Sequence, residues 1–542
     1  MNVLILYPNL PLMFSPAISV GIFTAIAKQE GCDVDVFETT YYSDQFKNRH
    51  VIMEDIGANN GTFVDEIFEV KNPDDLVSDF INKVEEFTPD LILLSVSEDT
   101  YKLGIELLES IREKDIPNIV GGVFAREGKR FLLKYDVIDQ ICHHEGEGVF
   151  RDAIKRLKAN QPLHDIPGTT YRFEDHAHTN AEQELCDLSA VMPDFSLFDH
   201  NRWNRPMGGR KFKRTMPMET YRGCPYNCTY CNSPSQRAFS KENNQGNFMR
   251  RKSADVIEKE LQHYLKVHDP ELIMFIDDSF LARPRKEIEE FSNMWSKYKV
   301  PFWINTRVEN CKPDVLDMMK HAGIYRMTFG LESGNEDYRR DILSRNVKQE
   351  VYYEYFNYIN ESDIPYSLNA ILGMPYETSS MIEDTARLVH KAKGYDGLTI
   401  GTFIPYVGTG LRKIAEDANF IDSETVSNGG YLEEYSLNMP KPYLQAYEVE
   451  DYTKIFSLLA FFDESRWPEI KKSVNSKKKY DALMKKYKSL HWSKYQEGGK
   501  TRINRLDKQI KLKYDEEFGQ KAWAKGCTKH DESSSLRFEV VA

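Results

Sequence analysis

Three of the eight cysteines in this chain lie within eight residues of one another. They are Cys224, Cys228 and Cys231 in the segment YRGCPYNCTYC, which spans residues 221–231 and has the spacing C-x3-C-x2-C. Thiolates at such a spacing suit metal or iron–sulfur binding, and two of them would suit redox chemistry. No fourth cysteine lies near them in the sequence.

The number of cysteines separates these possibilities. A structural zinc site usually takes four ligands, often as two pairs, and no second Cys/His pair with finger spacing follows this one. A redox dithiol needs only two cysteines. A four-iron cluster held by three thiolates keeps one iron open to a substrate or cofactor, so the missing fourth ligand favours an iron–sulfur site.

The segments that follow must position this site. From about residue 215 to 415, the apolar runs LIMFIDDSF, FWINTRV, RMTFGLESG, YSLNAILGMP and DGLTIGTFIPYVGTG alternate with helical patterns. This alternation predicts a barrel or partial barrel with its chemistry at the carboxyl ends of the strands. The polar residues at or near those ends are Asp277, Asp278, Glu332, Ser333 and Asn369.

Residues 1–150 also alternate buried apolar runs with amphipathic helical patterns, which predicts a doubly wound parallel sheet. Such sheets bind ligands at the carboxyl ends of their strands. His143 and His144 lie at one of these ends, where a paired histidine is more often structural than a ligand. The small or polar residues that we expect at the ligand-binding edge are Pro8, Asn9, Ser95, Ser97, Gly121, Gly122, Glu145, Gly146 and Glu147.

The predicted organisation is therefore a doubly wound domain at 1–150, a connector at 151–205, a (β/α)6 partial barrel at 206–415 and a mainly helical domain at 416–542. Residues 471–513 contain 15 Lys/Arg against 3 Asp/Glu, which we interpret as a solvated helical face rather than an anion- or lipid-binding surface. The C-terminal aromatic residues favour a helix core over a substrate-binding site. They are Tyr431, Tyr435, Tyr443, Tyr447 and the segment Ile455–Phe462.

Composition excludes several classes of protein. The chain has 542 residues, of which 41% are apolar and 29% charged, and its formal net charge is −13. No run of about 18 apolar residues is present, and the N-terminus lacks a basic leader and a cleavage site. The other five cysteines are scattered singly, unlike a disulfide framework. We expect a cytoplasmic protein without an integral membrane segment or a nucleic-acid partner.

The cysteine segment closely resembles the signature of the radical S-adenosylmethionine (SAM) superfamily, which has this spacing and an aromatic residue, here Tyr230, before the last cysteine. Four further motifs resemble the successive strand ends of that family in the right order: FIDDSF, FGLESG followed by LSRNV, LNAILGMPYET and FIPYVGTGL. The resemblance implies that the three cysteines hold a [4Fe–4S] cluster. It also implies that SAM chelates the open iron and is cleaved to a 5′-deoxyadenosyl radical.

The same resemblance assigns roles to individual residues. It implies that Asp277 and Asp278 lie near the methionyl amino group of SAM, and that Arg345 lies near its carboxylate. Glu332 and Ser333 are expected near the ribose or methionine, and Asn369 and Gly373 near the adenosine. Each has a structural alternative: a helix N-cap for Asp277 or Asp278, a strand-end salt bridge for Glu332, a surface charge for Arg345 and a turn for Asn369.

A doubly wound domain before a radical SAM barrel resembles the cobalamin-binding subfamily. One departure is that no histidine has the D-x-H-x-x-G context of proteins that replace the lower base of cobalamin. The radical SAM branch generally holds cobalamin without such a histidine. Methylthiotransferases carry three further N-terminal cysteines, whereas this region has only Cys32 and Cys142, so that subfamily is excluded.

The resemblance therefore implies a cobalamin-dependent radical SAM methyltransferase that methylates an unactivated carbon or a phosphorus of a small molecule. Lipid-like, peptide, phosphonate and tetrapyrrole substrates all stay open. The expected partner is an electron donor such as flavodoxin or ferredoxin. The alternatives are a cobalamin-binding radical SAM enzyme that oxidises, cyclises or rearranges a ring without methyl transfer, and a non-catalytic cluster or cobalamin sensor.

Overall fold

The computed structural model describes residues 1–11, 13, 15–43, 52–53, 55–58, 70–173, 176–207, 210–212, 214–430 and 435–494. Tyr431, Cys527 and the part of the predicted C-terminal domain beyond residue 494 lie outside the described residues. The described secondary structure forms two large sheets, each flanked by helices, and a C-terminal group of helices.

The first sheet has seven strands in the order β2-β1-β3-β4-β5-β6-β7. Strands β1 to β5 are parallel, and β6 and β7 continue the sheet in antiparallel fashion. The order 2-1-3-4-5 is one of the two common doubly wound orders, so the predicted fold class is confirmed. The strands are β1 Asn2–Tyr7, β2 Asp33–Glu38, β3 Leu91–Ser95, β4 Asn118–Gly121, β5 Gln140–Cys142, β6 Thr169–Phe173 and β7 His176–Thr179.

Helices cover both faces of this sheet because alternate residues of each strand point in opposite directions. In β1, Val3 and Ile5 pack with helices Ile18–Gln29 and Gly146–Lys158, whereas Leu4 and Leu6 pack on the other face. The helices of that other face are Leu76–Phe87, Tyr101–Glu109, Val123–Glu127 and Lys129–Leu132. Within the segment 151–205, which we predicted as a connector, β6 and β7 extend the sheet; the domain boundaries themselves stay a prediction.

The second sheet has six strands, all parallel, in the order β10-β13-β14-β15-β16-β17. This is the strand–helix alternation predicted for a partial barrel. The strands are β10 Thr215–Met218, β13 Leu272–Phe275, β14 Phe302–Thr306, β15 Ile324–Glu332, β16 Tyr366–Leu372 and β17 Gly397–Thr402. The helices between them are Ser233–Glu242, Ala254–Val267, Arg285–Trp295, Pro313–Ala322, Glu336–Asp341, Gln349–Ser362 and Ser379–Ala392.

Two small antiparallel ribbons accompany this sheet: β8 Arg205–Met207 with β9 Arg210–Phe212, and β11 Tyr221–Arg222 with β12 Arg250–Arg251. The second ribbon leads directly into the cysteine segment. After β17, the chain continues into the C-terminal helices, which are Gly410–Asp417, Ala446–Phe461, Trp467–Ser473 and Lys477–Lys494.

Strand β17 forms one edge of the second sheet, and other parts of the chain cover it. The backbone N–H of Leu398 donates a hydrogen bond of 3.0 Å to the carbonyl of Ala58. The hydroxyl of Tyr487, on the last described helix, donates to the carbonyl of Gly57 at 2.8 Å. Among the helices that the structure describes, none combines the length and apolar character needed to cross a bilayer.

The aromatic C-terminal residues are divided between core and surface. Ile455 and the residues after it up to Ala460 are buried in helix Ala446–Phe461, as expected for a helix core. Tyr443 packs against Tyr376 and Phe420, whereas Tyr447 is 60% exposed.

Candidate functional site

The three cysteines lie between β11 and helix Ser233–Glu242, close after the carboxyl end of β10. The loop is fastened to the barrel through Thr229, whose N–H donates to the carbonyl of Leu343 at 3.2 Å and whose carbonyl accepts from the N–H of Leu411 at 2.7 Å. Gly223 has a φ of +103°, and a Cβ there would lie 2.8 Å from the carbonyl oxygen of Phe248. The turn into the loop therefore requires glycine.

Of the three cysteines, Cys228 is buried, and Cys224 and Cys231 are partly buried. Burial raises the pKa of Cys231 to about 12, and the charges of Asp278, Cys228 and Cys224 act in the same direction. Burial also raises the pKa of Cys224. A metal centre deprotonates a coordinating thiol and supplies the positive charge that three such thiolates need, so the donor set fits an iron–sulfur cluster.

The adjacent residues Asp277 and Asp278 have different environments. Asp277 is 3% exposed, and its Oδ1 accepts from the N–H groups of Thr220 and Tyr221 at 2.8 and 3.2 Å. Its Oδ2 accepts from the hydroxyl of Thr220 at 2.5 Å and from Arg283 at 2.6 Å. Asp277 thus holds the start of the cysteine segment through its hydrogen bonds, whereas Asp278 is exposed. Neither residue is a helix N-cap, since helix Arg285–Trp295 is the next to begin.

Glu332, at the end of β15, lies in a strained part of the backbone. Its φ is +63°, and the pairing of β15 with β16 shifts register between Gly330 and Glu332. A Cβ on Gly330 would lie 2.1 Å from the Glu332 carboxylate, which folds back over this residue. Left-handed backbone at a non-glycine residue costs about 1–3 kcal/mol and is concentrated at functional sites.

Tyr230, Glu332 and Arg345 form a buried polar group beside the cysteine loop. The Tyr230 hydroxyl is 3.4 Å from Glu332 Oε1 and accepts from Arg345 Nη1 at 3.2 Å. Arg345 Nη1 is 3.6 Å from Glu332 Oε1. Arg345 is 1% exposed, which excludes the alternative of a surface charge. Among the residues that the structure describes, its Nε and Nη2 have no hydrogen-bond partner, although Nη2 lies 3.9 Å from Glu309 Oε2. Burial raises the pKa of Glu332, although the charge of Arg345 opposes this.

Two residues beside the cysteines were missed by the sequence analysis. Arg307, directly after β14, donates from Nη1 to the sulfur of Cys228 at 3.7 Å. Its guanidinium carbon lies 3.8 Å from the centre of the Tyr226 ring. Glu309 Oε1 is 2.5 Å from Arg307 Nε. In the run FWINTRV, the polar residue Arg307 directly follows the strand, as polar residues follow the other strands, so its position carried the same signal.

The remaining residues predicted for SAM lie within β16 or just after β15 and β16. Ser333 is fully buried, and its hydroxyl oxygen accepts from the N–H of Asn335 at 3.3 Å. Asn369 is half-buried within β16, where its backbone is in register with Gly330. Gly373 follows β16 with a φ of +82° and donates to the carboxylate of Glu377 at 2.6 Å.

The residues predicted at the edge of the first sheet fall into three groups. Pro8 and Asn9 begin the loop after β1, where the Asn9 amide donates to Thr40 at 3.1 Å. Ser95 ends β3. The Ser97 hydroxyl is 3.1 Å from that of Thr100, so Ser97 and Thr100 are hydrogen-bonded to each other within one turn. The third group follows β4 and β5.

Gly121 and Gly122 leave the backbone open after β4. A Cβ on Gly122, whose φ is +97°, would lie 2.3 Å from the carbonyl oxygen of Val96, so no other residue fits. Val123, the next residue, is 61% exposed. An exposed apolar residue beside two glycines suits a broad apolar ligand that approaches the backbone.

Glu145 and Glu147 lie in the loop and first helical turn after β5. They form ion pairs with arginines of the ribbon β11–β12. Arg222 is 3.0 Å from Glu145 and 2.9 Å from Glu147, and Arg250 also contacts Glu145. Gly146 lies between the two carboxylates at the start of helix Gly146–Lys158. These carboxylates join the first domain to the strand that precedes the cysteines.

The carboxyl edge of the first sheet meets the second domain at two more places. The Glu98 carboxylate accepts from the N–H groups of Val407 and Ser427 at 2.7 and 3.0 Å. The hydroxyl of Ser235 donates to Glu127 at 2.9 Å. The glycine-rich edge of the first sheet and the cysteine loop are therefore held on the same side of the molecule.

Residues 218–389 match the profile of the Radical SAM superfamily. This chain carries a radical SAM domain. The cysteine loop, Glu332 and Arg345 all lie within the matched residues, and the family implies a [4Fe–4S] cluster and SAM.

The structure resembles two solved enzymes across most of the chain. The cobalamin-dependent SAM radical enzyme OxsB, solved with aqua-cobalamin and SAM, has a TM-score of 0.61 at 14% identity, covering 96% of this chain and 80% of OxsB. The radical SAM methyltransferase TsrM from Kitasatospora setae, solved with cobalamin and a [4Fe–4S] cluster, has a TM-score of 0.56 at 14% identity, covering 90% and 99%. These likenesses confirm the predicted α/β fold of the chain.

A relative with a different activity is the anaerobic magnesium-protoporphyrin IX monomethyl ester cyclase of Rubrivivax gelatinosus. It is 23% identical over 341 residues, which make up 60% of this chain and 59% of the cyclase. This chain thus spans less than two thirds of that relative's length.

Proposed function

We propose that this protein is a cobalamin-dependent radical SAM methyltransferase that transfers a methyl group from SAM to an unactivated carbon or a phosphorus of a small molecule. The observation that carries the proposal is the juxtaposition of the two predicted cofactor edges. Three sets of contacts, at Glu98, Glu127 and Glu145, fasten the edge of the first sheet to the domain that bears the cysteines. A methyl group can pass between two cofactors only if both face one space.

The residues present suit each cofactor. Cys224, Cys228 and Cys231 would hold the cluster. Arg345, whose Nε and Nη2 donate no hydrogen bond within the described residues, would bind the carboxylate of SAM in the bidentate manner of a guanidinium. The backbone at Gly121 and Gly122, with Val123, would meet the face of cobalamin. When bound, the cluster and SAM supply a carbon-centred radical, and cobalamin carries the methyl group.

The polar group at Tyr230, Glu332 and Arg345 would orient SAM. Because Arg345 is fixed by Tyr230 and Glu332 before ligand binding, little side-chain entropy is lost when the carboxylate arrives. Asp278 is exposed beside the cysteines and is the acidic residue that remains available for the methionyl amino group, since the oxygens of Asp277 are already engaged.

The C-terminal segment would exclude water from the barrel. The hydroxyl of Tyr435 donates to the carbonyl of Gly373 at 2.6 Å, and the N–H of Leu444 donates to the carbonyl of Glu377 at 3.1 Å. These contacts lay the segment over the turn after β16. A radical reaction needs such a cover because water and oxygen would intercept the reactive species.

The test is an anaerobic incubation of reconstituted protein with cobalamin, a strong reductant and SAM labelled in its methyl group. Mass spectrometry would follow labelled methylcobalamin, S-adenosylhomocysteine and 5′-deoxyadenosine, with the Cys228→Ala variant as control. Labelled methylcobalamin together with both nucleosides supports the methyltransferase. Deoxyadenosine without methylated cobalamin would contradict it and favour the second candidate, a non-methylating oxidation, cyclisation or rearrangement. The Rubrivivax cyclase relative favours that candidate. If neither labelled methylcobalamin nor 5′-deoxyadenosine forms, the result indicates the non-catalytic sensor.

A further inference from the structure

The surroundings of Cys228 differ from those of the other two cysteines in the loop. In the part of the chain that the structure describes, its sulfur is the one among the three that accepts a hydrogen bond from a charged side chain, that of Arg307. Both residues are buried, at 8% and 9% exposure. The guanidinium is held in place by stacking on Tyr226 and by its contact with Glu309.

Glu309 connects this arginine to a second one. Its Oε1 is 2.5 Å from Arg307 Nε, and its Oε2 is 3.9 Å from Arg345 Nη2. A row of alternating charges therefore runs from the Cys228 sulfur through Arg307 and Glu309 to Arg345. Charges in such a water-poor site interact strongly because little solvent screens them.

We infer that Arg307 is a positioning residue that raises the reduction potential of the cluster, and that Glu309 moderates this effect. The inference rests on the proposed cluster at the three cysteines. Reduction adds one electron, from a low-potential donor, to an oxidised [4Fe–4S] cluster and transfers no proton. A hydrogen bond and a positive charge at a ligand sulfur stabilise the more negative, reduced form.

The two residues predict shifts of opposite sign. Arg307→Gln removes the positive charge, so the reduced cluster loses stability and the potential falls. Glu309→Gln removes a negative charge near Arg307, so the potential rises. Arg307→Lys retains the charge but loses the planar hydrogen-bonding group, and we expect a smaller fall than in Arg307→Gln.

A matched control removes a positive charge elsewhere in the same domain. Arg285 is 60% exposed and pairs with Asp314 at 2.7 Å on the surface. Arg285→Gln changes the net charge as Arg307→Gln does, but solvent screens its effect. Its potential should equal that of the wild type.

The experiment is a spectroelectrochemical titration of anaerobically reconstituted full-length protein, without SAM or cobalamin, monitored by electron paramagnetic resonance. Iron and sulfide are measured first, and a wild type that binds no cluster refutes the proposed function rather than this inference. We expect Arg307→Gln to change the ratio of reduced to oxidised cluster at a fixed potential about tenfold, which is about 59 mV for one electron.

An Arg307→Gln potential equal to that of the wild type, with normal iron content, overturns the inference and leaves Arg307 a purely structural residue. A fall of the same size in Arg285→Gln overturns it as well, because the effect would then be general. If Arg307→Gln does not retain the cluster, Glu309→Gln decides: a rise in potential supports the inference, and an unchanged or lower potential refutes it.

Discussion

Replacing Asp277 by asparagine tests whether this residue supports the cysteine loop rather than binding SAM. The wild-type carboxylate accepts four hydrogen bonds, two from backbone N–H groups, one from a hydroxyl and one from Arg283. In Asp277→Asn, an NH2 group faces the Arg283 guanidinium, and a buried positive charge, 5% exposed, loses its partner. Breaking a buried ion pair in this way costs about 3–5 kcal/mol. For a domain of roughly 200 residues, this corresponds to a fall of about 6–20 °C in the thermal midpoint.

Asp278→Asn is the matched control, because it makes the same change one residue later at an exposed side chain. Thermal unfolding of the apo proteins, followed by tryptophan fluorescence, should show a shift of about 0.5 kcal/mol or less for this variant. After reconstitution, Asp278→Asn should instead weaken SAM binding. Equal midpoints for the two variants, or a stable Asp277→Asn protein with weakened SAM binding, would refute the distinction between the two aspartates.

Three further predictions concern the site and the domain interface. Cys228→Ala should abolish the broad absorbance of a reconstituted cluster and lower its iron content, whereas Cys186→Ala should retain both; unchanged iron in the first variant would end the cluster assignment. Arg345→Gln should weaken SAM binding about tenfold or more through the loss of a charged hydrogen bond, with the cluster intact and the exposed Arg340→Gln as control; wild-type affinity by calorimetry would remove Arg345 from the site. Burial raises the pKa of Glu98 to about 7, so the folded protein holds a proton that the unfolded chain releases near pH 4.5. The resulting stabilisation, at most about 3 kcal/mol, is present below that pH and lost as the pH rises through 7. The thermal midpoint should therefore fall between pH 5.5 and 8.5, and fall less in Glu98→Gln; parallel curves would contradict this.

The two main sheets could be predicted because parallel strands that are buried on both faces have continuous apolar sequences. β6 and β7 were not predicted because both are short and polar. β7 also forms the edge of the sheet, and all four residues of His176–Thr179 are exposed. An edge strand of this kind has no apolar pattern that distinguishes it from a loop.

The cysteine loop was readable because its residues are close in sequence, whereas partners far apart were not. Nothing in the local sequence shows that Glu145 meets Arg222 or Arg250, which lie 77 and 105 residues away. The two aspartates at 277 and 278 have the same chemistry, and only the path of the loop after β13 decides which side chain is buried. The motif predicted the site, but the packing around the motif decides which residues remain free to bind.

The covered edge of β17 has a consequence for work on shortened forms of the chain. An uncovered edge strand presents a row of backbone donors and acceptors to which a strand of another molecule can add. The N–H of Leu398 in that row donates to Ala58, and Tyr487 holds the neighbouring Gly57. Removing helix Lys477–Lys494 would loosen this cover, and such a form would self-associate into insoluble material although its cysteine loop is untouched.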